Sequence, residues 1–161
     1  MVPNLEQRKC NVLDTPLLTE TYHISIPFEE LPEELPFPIG LVSLCNDAVR
    51  KEKVKSQGFY KELPEKKRYP TYPAVKISRL GIHKDFQGYH IGTYIINLIK
   101  KMFVTNNRTG CRLITVDAYN HENVLKFYKS NDFQCFSFKE KDLKRSTRAM
   151  FFDLKRLTGL I

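Results

Sequence analysis

A short loop in the middle of the chain carries two glycines and a threonine between a predicted strand and a predicted helix. A glycine-containing loop at a helix start offers unpaired backbone N–H groups that point along the positive end of the helix dipole. Gly88 allows the backbone to approach an anion closely, Gly92 keeps a side chain out of the contact, and the Thr93 hydroxyl adds a donor. The loop suits a diphosphate group, although a plain structural turn can carry the same two glycines.

The strand that precedes this loop changes its phase. Val75 and Ile77 place apolar side chains at odd positions, whereas Leu80 and Ile82 place them at even positions. A regular strand keeps one phase because its side chains alternate with a period of two. The slip predicts a β-bulge near Ser78, and bulges splay neighbouring strands in a way that often opens a ligand slot.

The helix after the loop has a continuous apolar stripe over residues 91–103, and a shorter helix is predicted over 122–129. Residues 50–73 form a long polar connection, a length that is usually functional or mobile. Strands alternate with helices, which predicts an α/β domain with a mixed sheet. The predicted strands are 22–26, 39–45, 74–82, 113–116, 133–138 and 149–154, and 28–36 is an acidic loop.

The bulk composition limits the class of protein. The chain has 161 residues, of which 42% are hydrophobic, and this predicts a single domain spanning 1–161. No apolar run reaches the ~18 residues of a membrane span, and the first residues do not resemble a signal peptide, so we expect a cytoplasmic protein without a membrane partner. The four scattered cysteines favour reduced thiols and no metal site. The formal charge of +8 favours an anionic partner.

The loop and a later segment together resemble a known superfamily. Residues 87–92, Gln-Gly-Tyr-His-Ile-Gly, are similar to the Q/R-x-x-G-x-G/A signature of the GNAT N-acetyltransferases, and they lie between a strand and a helix as that family places them. Residues 123–128 and 131–133 are similar to its Asn…Tyr…Gly-Phe segment. Two positions depart from the pattern. His90 replaces a glycine, so its imidazole must point out of the loop or contact the phosphates, and Asp132 replaces a glycine that often adopts the left-handed conformation after a helix.

The resemblance implies a GNAT fold with splayed central strands and helices on both faces, acetyl-CoA as cofactor, and direct acetyl transfer to an amine in a ternary complex. It implies that pantetheine runs along the bulged strand and that Tyr128 protonates the leaving thiolate. A core aromatic is the alternative for Tyr128, and a helix cap is the alternative for Asn123. The residues expected to bind the cofactor are Leu80, Gly81, Ile82, Gln87, Gly88, Tyr89, His90, Ile91, Gly92, Thr93, Asn123 and Phe127.

The acceptor is less defined by the sequence. The layout resembles the GNAT toxins of bacterial toxin–antitoxin operons, which implies aminoacyl-tRNA as one acceptor and tRNA as a candidate partner. Basic clusters at 50–55, 66–68 and 139–148 suit phosphate groups, or they are solvated loops. His83, His90 and His121 are candidates for the general base by residue type only, and the base stays unassigned. A small or protein amine, a catalytically idle CoA- or RNA-binding module, and a monomer or homodimer all remain open, and the N-terminal region looks short for the family.

Overall fold

The computed structural model describes residues 19–24, 39–55, 57–62, 70–105, 110–137, 139, 142 and 144–158. The described strands belong to one sheet, and the helices pack against it. The strands are β1 (Thr19–Ile24), β2 (Gly40–Arg50), β3 (Thr71–Ile82), β4 (Leu113–Tyr119), β5 (Gln134–Cys135) and β6 (Thr147–Asp153), and the helices are α1 (Lys51–Lys55), α2 (Ile91–Thr105) and α3 (Glu122–Ser130).

The sheet is mixed, as the alternation of strands and helices predicts. Its strand order is β1-β2-β3-β4-β6-β5, and β3 and β4 are parallel while the other neighbours are antiparallel. Helices α2 and α3 lie over one face and join the larger buried cluster, which includes Ile96, Ile114 and Met150. Helix α1 places Val54 in a smaller cluster on the opposite face, beside Phe136 and Phe151. The expected helices on both faces are therefore confirmed.

The predicted bulge lies where the phase of the sequence changes. Ser43 of β2 pairs with Arg79, whereas Leu44 pairs with Ile77, so Ser78 is the additional residue on β3. Val75 and Ile77 face the larger cluster before the bulge, and even-numbered residues face it afterwards. The bulge thus changes which side chains of β3 point toward the two long helices.

The two parallel strands part directly after the bulge. The pairing between β3 and β4 ends at Ile77 and Val116, although β3 continues to Ile82 and β4 to Tyr119. The expected splay of the central strands is confirmed. Beyond Ile77, the edge of β3 that faces β4 has backbone groups without a partner in β4, and a ligand can use these groups.

Some predicted boundaries are wrong. The strand expected over 133–138 is limited to Gln134–Cys135, because β6 alone pairs with it and the chain bends at Phe136. The connection over 50–73 is shorter than predicted, since β2 extends to Arg50, α1 follows at once, and residues Gly58–Glu62 form a 3-10 helix. The first strand begins at Thr19 and not at Tyr22, whereas residues 25 and 26 of its predicted range and the acidic loop over 28–36 lie outside the described residues.

Three cysteines lie in the described part of the chain, and none of them forms a disulfide bond there: Cys45, Cys111 and Cys135. The same residues include no cluster of three or more histidine, cysteine or acidic side chains arranged for a metal ion. Among the described helices, none combines the length and the apolar character needed to cross a membrane.

Candidate active site

A groove of about 440 Å³ lies between the end of β3, the start of α2 and the first two turns of α3. Ten of the residues predicted to bind the cofactor line it, and the predicted acid Tyr128 lines it as well. The groove lies beyond the point where β3 and β4 part, because Leu80 and Ile82 form one of its walls. The cofactor-binding residues that line it are Leu80, Ile82, Gln87, Gly88, His90, Ile91, Gly92, Thr93, Asn123 and Phe127.

The loop before α2 is held against the end of β3. A short 3-10 helix over Lys84–Phe86 begins it, and the Gln87 side-chain amide donates a hydrogen bond to the Ile82 carbonyl over 3.1 Å. Gly88 and His90 both adopt positive φ angles, of 88° and 60°. A left-handed backbone at residue 90 explains why the signature that this loop resembles has a glycine at the position of His90. His90 keeps this backbone with a side chain, is exposed, and lines the groove.

The first turn of α2 directs unpaired amides toward the groove. The first intrahelical hydrogen bond runs from the Tyr94 N–H to the His90 carbonyl over 3.0 Å. The amides of Ile91, Gly92 and Thr93 precede it, so they have no carbonyl four residues earlier within the helix. Together with the helix dipole, these donors form a positive surface at one end of the groove.

The packing of α2 against α3 requires a glycine at position 92, whether or not a ligand is bound. A Cβ atom at this position would lie 3.1 Å from both Cε2 and Cζ of Phe127. Contacts this short force neighbouring atoms to move. The absence of a side chain therefore lets the α2 start lie directly on the ring of Phe127, which fixes the distance between α2 and α3.

Asn131 connects the start of α2 to the end of α3. It lies in the segment 131–133 that resembles the superfamily, but it is not among the predicted site residues. Asn131 is 3% exposed. Its Nδ2 donates hydrogen bonds to the Phe127 carbonyl over 2.8 Å and to Thr93 Oγ1 over 3.4 Å. The Lys100 ammonium donates to the Asn131 carbonyl over 2.8 Å. Because Thr93 Oγ1 accepts from Asn131, the Thr93 hydroxyl hydrogen is directed elsewhere, and the groove is adjacent.

Tyr128 combines a buried ring with an accessible hydroxyl. The residue is 6% exposed, and its ring packs edge-on against Phe127 and Phe133. Among the described residues no fully buried side-chain oxygen lacks a partner, and the Tyr128 hydroxyl has no hydrogen-bond partner there, so this oxygen reaches the groove. Burial raises the pKa of Tyr128 to about 12, so the phenol keeps its proton at neutral pH.

The remaining predicted residues lie around the groove. Gly81 faces Leu41 of β2, and Tyr89 is 73% exposed; neither lines the groove. The capping alternative for Asn123 is wrong, because α3 begins at Glu122 with His121 at the N-cap and Asn123 lies within the first turn. The left-handed conformation expected for Asp132 is confirmed by its φ of 63°.

Two apolar residues that line the groove, Phe86 and Val124, are absent from the prediction. Both are sequence neighbours of predicted residues, and this proximity is the signal that could have found them. Of the candidate bases, His90 lines the groove. His83 accepts a hydrogen bond from the Asp85 N–H over 3.4 Å, and His121 is exposed at the start of α3.

The chain has the fold of the GNAT toxins. Similar solved structures are AtaT complexed with acetyl-methionyl-tRNAfMet (TM-score 0.68, 21% identity, 89% of this chain and 75% of that chain) and a mutant of KacT (TM-score 0.66, 17% identity, 90% and 76%). A third is a mutant AtaT toxin bound to the C-terminus of the antitoxin AtaR and acetyl-CoA (TM-score 0.55, 20% identity, 88% and 72%). No protein-family model matches the sequence, and no curated protein matches it.

Proposed function

We propose that this protein is an acetyl-CoA-dependent N-acetyltransferase that transfers the acetyl group directly to a primary amine. The observation that carries the proposal is the groove, in which the unpaired amides of α2, the open edge of β3 and the accessible hydroxyl of Tyr128 lie along one channel. Acetyl-CoA supplies an activated thioester when it is bound. The similarity in fold to an AtaT toxin bound to acetyl-CoA supports the choice of cofactor.

The α2 start is suited to hold the diphosphate of the cofactor. Backbone amides from Gly88 to Thr93 present donors without charged side chains, and the Thr93 hydroxyl is oriented by Asn131. Leu80 and Ile82 offer an apolar wall next to unpaired backbone groups of β3, which suits the alternating amides and methylenes of pantetheine. Gln87 has a supporting role, because its side chain is engaged by the Ile82 carbonyl.

Tyr128 is suited to protonate the thiolate that leaves. An ordinary thiol has a pKa near about 8.5, so donation from a phenol with a pKa of about 12 is uphill in the ground state. The hydroxyl contributes by donating a hydrogen bond as negative charge develops on sulfur, which is where a buried donor acts most strongly. The attacking amine must be neutral, and its proton leaves to water or to a base that we do not assign.

Aminoacyl-tRNA is the acceptor that a specific observation favours among amines. AtaT, which shares this fold, has been solved in a complex with acetyl-methionyl-tRNAfMet, and the net charge of +8 on this chain suits a polyanionic partner. An α-amino group has a pKa near about 8, so a useful fraction is neutral at physiological pH without a strong base. A small or protein amine is the competing acceptor, and a catalytically idle CoA- or RNA-binding module is the competing class.

The test combines titration with product detection. Isothermal titration with acetyl-CoA measures cofactor binding, and mass spectrometry then measures acetylation of methionyl-tRNA, free methionine and a lysine peptide. Product mass is preferable to thiol release, because the partly exposed Cys45 would react with thiol reagents. Binding of acetyl-CoA together with the formation of acetylated methionyl-tRNA supports the proposal. Binding without any acetylated product would support the idle module, and no binding would contradict the cofactor.

A further inference from the structure

His90 carries a side chain at a position where the backbone is left-handed. Its φ is 60°, a conformation that brings Cβ close to the following carbonyl oxygen and costs an L-residue about 1–2 kcal/mol. The signature that this loop resembles has a glycine at this position, and a glycine would adopt the same backbone without that cost. Strained residues of this kind cluster where a protein holds a ligand, because the gain in binding offsets the strain.

The other described non-glycine residue with a positive φ, Asp132, has an ordinary structural explanation. It follows the C-terminus of α3, where a left-handed residue commonly ends a helix, and its N–H donates to the Lys129 carbonyl over 2.9 Å. His90 instead lies directly before the first residue of α2, and its carbonyl accepts the first intrahelical bond, from the Tyr94 N–H. A residue in that position normally has an extended backbone. Helix capping therefore does not explain the conformation of His90.

The imidazole of His90 is available to a ligand in the groove. His90 is exposed and lines the groove, and among the described residues its side chain has no hydrogen-bond or ion-pair partner. His83, by contrast, accepts a hydrogen bond from the Asp85 N–H, and its ring packs edge-on against Phe86 with centroids 6.1 Å apart. His121 does not line the groove. Of these three histidines, only His90 combines a place in the groove with an unengaged ring.

His90 also decides the charge of the groove lining near neutral pH. Among the described lining residues there is no lysine, arginine, aspartate or glutamate, and burial raises the pKa of Tyr128 to about 12. An imidazole gains or loses its charge between about pH 5 and pH 8, whereas backbone amides do not titrate. Charged or titratable side chains on the surrounding elements do not line the groove: Arg79, Lys84, Asp85, Tyr89, Tyr94, His121 and Glu122.

The imidazole is adjacent in the chain to the unpaired amides that are suited to hold a diphosphate. Ile91, Gly92 and Thr93 follow His90 directly, and their N–H groups precede the first intrahelical bond. These amides bind an anion without carrying a net charge. An imidazolium beside them adds a positive charge and an N–H donor, and a charge-assisted hydrogen bond is about twice as strong as a neutral one. Because a diphosphate diester stays ionised over this pH range, the strength of the contact changes with the imidazole alone.

We propose that protonation of His90 regulates cofactor binding: the imidazolium donates to the diphosphate of acetyl-CoA, so the cofactor binds more tightly as the pH falls through the range in which an imidazole titrates. The proposal rests on the proposed function, because it regulates the cofactor site of that function. At low pH the charged ring and the amides both hold the anion, and at high pH only the amides hold it. By linkage, binding of the anion takes up protons from the solvent.

The test is isothermal titration with acetyl-CoA and with acetyl-dephospho-CoA at about pH 5.5, about pH 7 and about pH 8.5, a range that spans the titration of an imidazole. The second ligand lacks the 3′-phosphate, which is a monoester and itself titrates near about pH 6. Titration at about pH 7 in buffers of different ionisation enthalpy counts the protons taken up on binding. Binding is measured rather than turnover, because the neutral fraction of the amine also changes with pH.

The variants separate charge from backbone conformation. His90→Gly restores the glycine of the signature, and His90→Asn keeps a polar side chain that tolerates the left-handed backbone; neither can titrate. His90→Arg carries a positive charge at every pH of the test. His121→Gln is the matched control, because it removes an exposed imidazole at the start of α3 that does not line the groove. Circular dichroism checks the folding of every variant.

We expect the affinity of the unmodified protein for both ligands to fall about tenfold between about pH 5.5 and about pH 8.5, the effect of one charge-assisted hydrogen bond. A tenfold change corresponds to the uptake of about half a proton at the midpoint. With acetyl-dephospho-CoA, His90→Gly and His90→Asn should change less than about twofold and take up no protons. His90→Arg should keep its affinity at about pH 8.5, and His121→Gln should behave as the unmodified protein does.

Three results would overturn the inference: an affinity for acetyl-dephospho-CoA that does not change with pH, the same pH dependence in His90→Gly and His90→Asn as in the unmodified protein, or its loss in His121→Gln. The two proposals fail separately. A protein that binds neither ligand at any pH contradicts the cofactor of the proposed function. A protein that binds acetyl-dephospho-CoA equally well at each pH and acetylates an amine contradicts the regulation by His90 alone.

Discussion

The groove and a cavity of about 630 Å³ on the opposite face of the sheet present positive potential by different means. The cavity is formed by α1, the segment after β5 and the start of β6, and four cations line it: Lys53, Lys139, Arg145 and Arg148. The groove uses backbone amides at the start of α2, and its lining has no lysine or arginine among the described residues. The cavity uses long cationic side chains around Phe136. Because the groove depends on backbone geometry, replacing its glycines should weaken ligand binding there. Because the cavity depends on charged side chains, neutral substitutions and added salt should weaken the binding of an anion there.

The largest expected effect is on the chemical step in the groove. Tyr128→Phe keeps the ring in its packing against Phe127 and Phe133 and removes the one hydroxyl proposed to stabilise the leaving sulfur. We expect kcat to fall by about 10²- to 10⁴-fold, the usual contribution of a general acid, with acetyl-CoA affinity nearly unchanged. Steady-state kinetics and titration measure the two quantities. Tyr119→Phe, at the rim of the cavity, is the matched control, and an unchanged rate in Tyr128→Phe would remove the acid role.

The same tyrosine should make folding sensitive to alkaline pH. Its pKa is raised to about 12 in the folded protein, against about 10 in the unfolded chain. Below about pH 10 both states keep the proton. Between about pH 10 and pH 12 the unfolded chain loses its proton first, so the free energy of unfolding should fall by roughly 2–3 kcal/mol more than it does in Tyr128→Phe. Urea denaturation at about pH 9 and about pH 11.5 measures this, and equal losses in both proteins would show that the hydroxyl is not desolvated.

Gly92→Ala tests whether geometry governs the groove. The new methyl group would lie 3.1 Å from the Phe127 ring, and relief of such overpacking costs about 1–3 kcal/mol. If α2 shifts to relieve it, acetyl-CoA affinity should fall by about ten- to a hundredfold. Gly58→Ala is the control, because no atom lies within 4 Å of the position that a Cβ would occupy there. Titration with acetyl-CoA measures the affinity of both variants. Equal affinities would mean that the loop tolerates a displaced helix.

The smallest expected effect concerns the orientation of one hydroxyl. In a double-mutant cycle, Thr93→Val and Asn131→Ala should each weaken acetyl-CoA binding. The double variant should lose less than the sum, by about 1 kcal/mol, because the Asn131 amide acts through Thr93 Oγ1. The thermal midpoint is measured beside affinity, since Asn131 also holds the Phe127 carbonyl. Strictly additive losses in affinity would assign Asn131 a purely structural role.

Local sequence patterns predicted the lining of the groove better than they predicted the ends of the elements. The change of phase between Ile77 and Leu80 located the bulge, since alternation is a property of each strand alone. The end of β5 depends on a partner, because residues after Cys135 leave the ladder with β6, and no local pattern contains that information. Phe86 and Val124 were missed although they are sequence neighbours of predicted residues. Which of the apolar side chains line the groove is decided only when distant elements meet around it.

The strand, loop and helix around residues 87–93 follow from the sequence alone, because glycine tolerance, phase and helical periodicity are encoded within about thirty consecutive residues. Three contacts needed the assembled fold: Asn131 reaches Thr93, the hydroxyl of Tyr128 opens into the groove, and Arg148 shares a cavity with Lys53. These contacts join residues that are separated by many positions in the chain. They depend on how the sheet and its helices are assembled and not on any single segment.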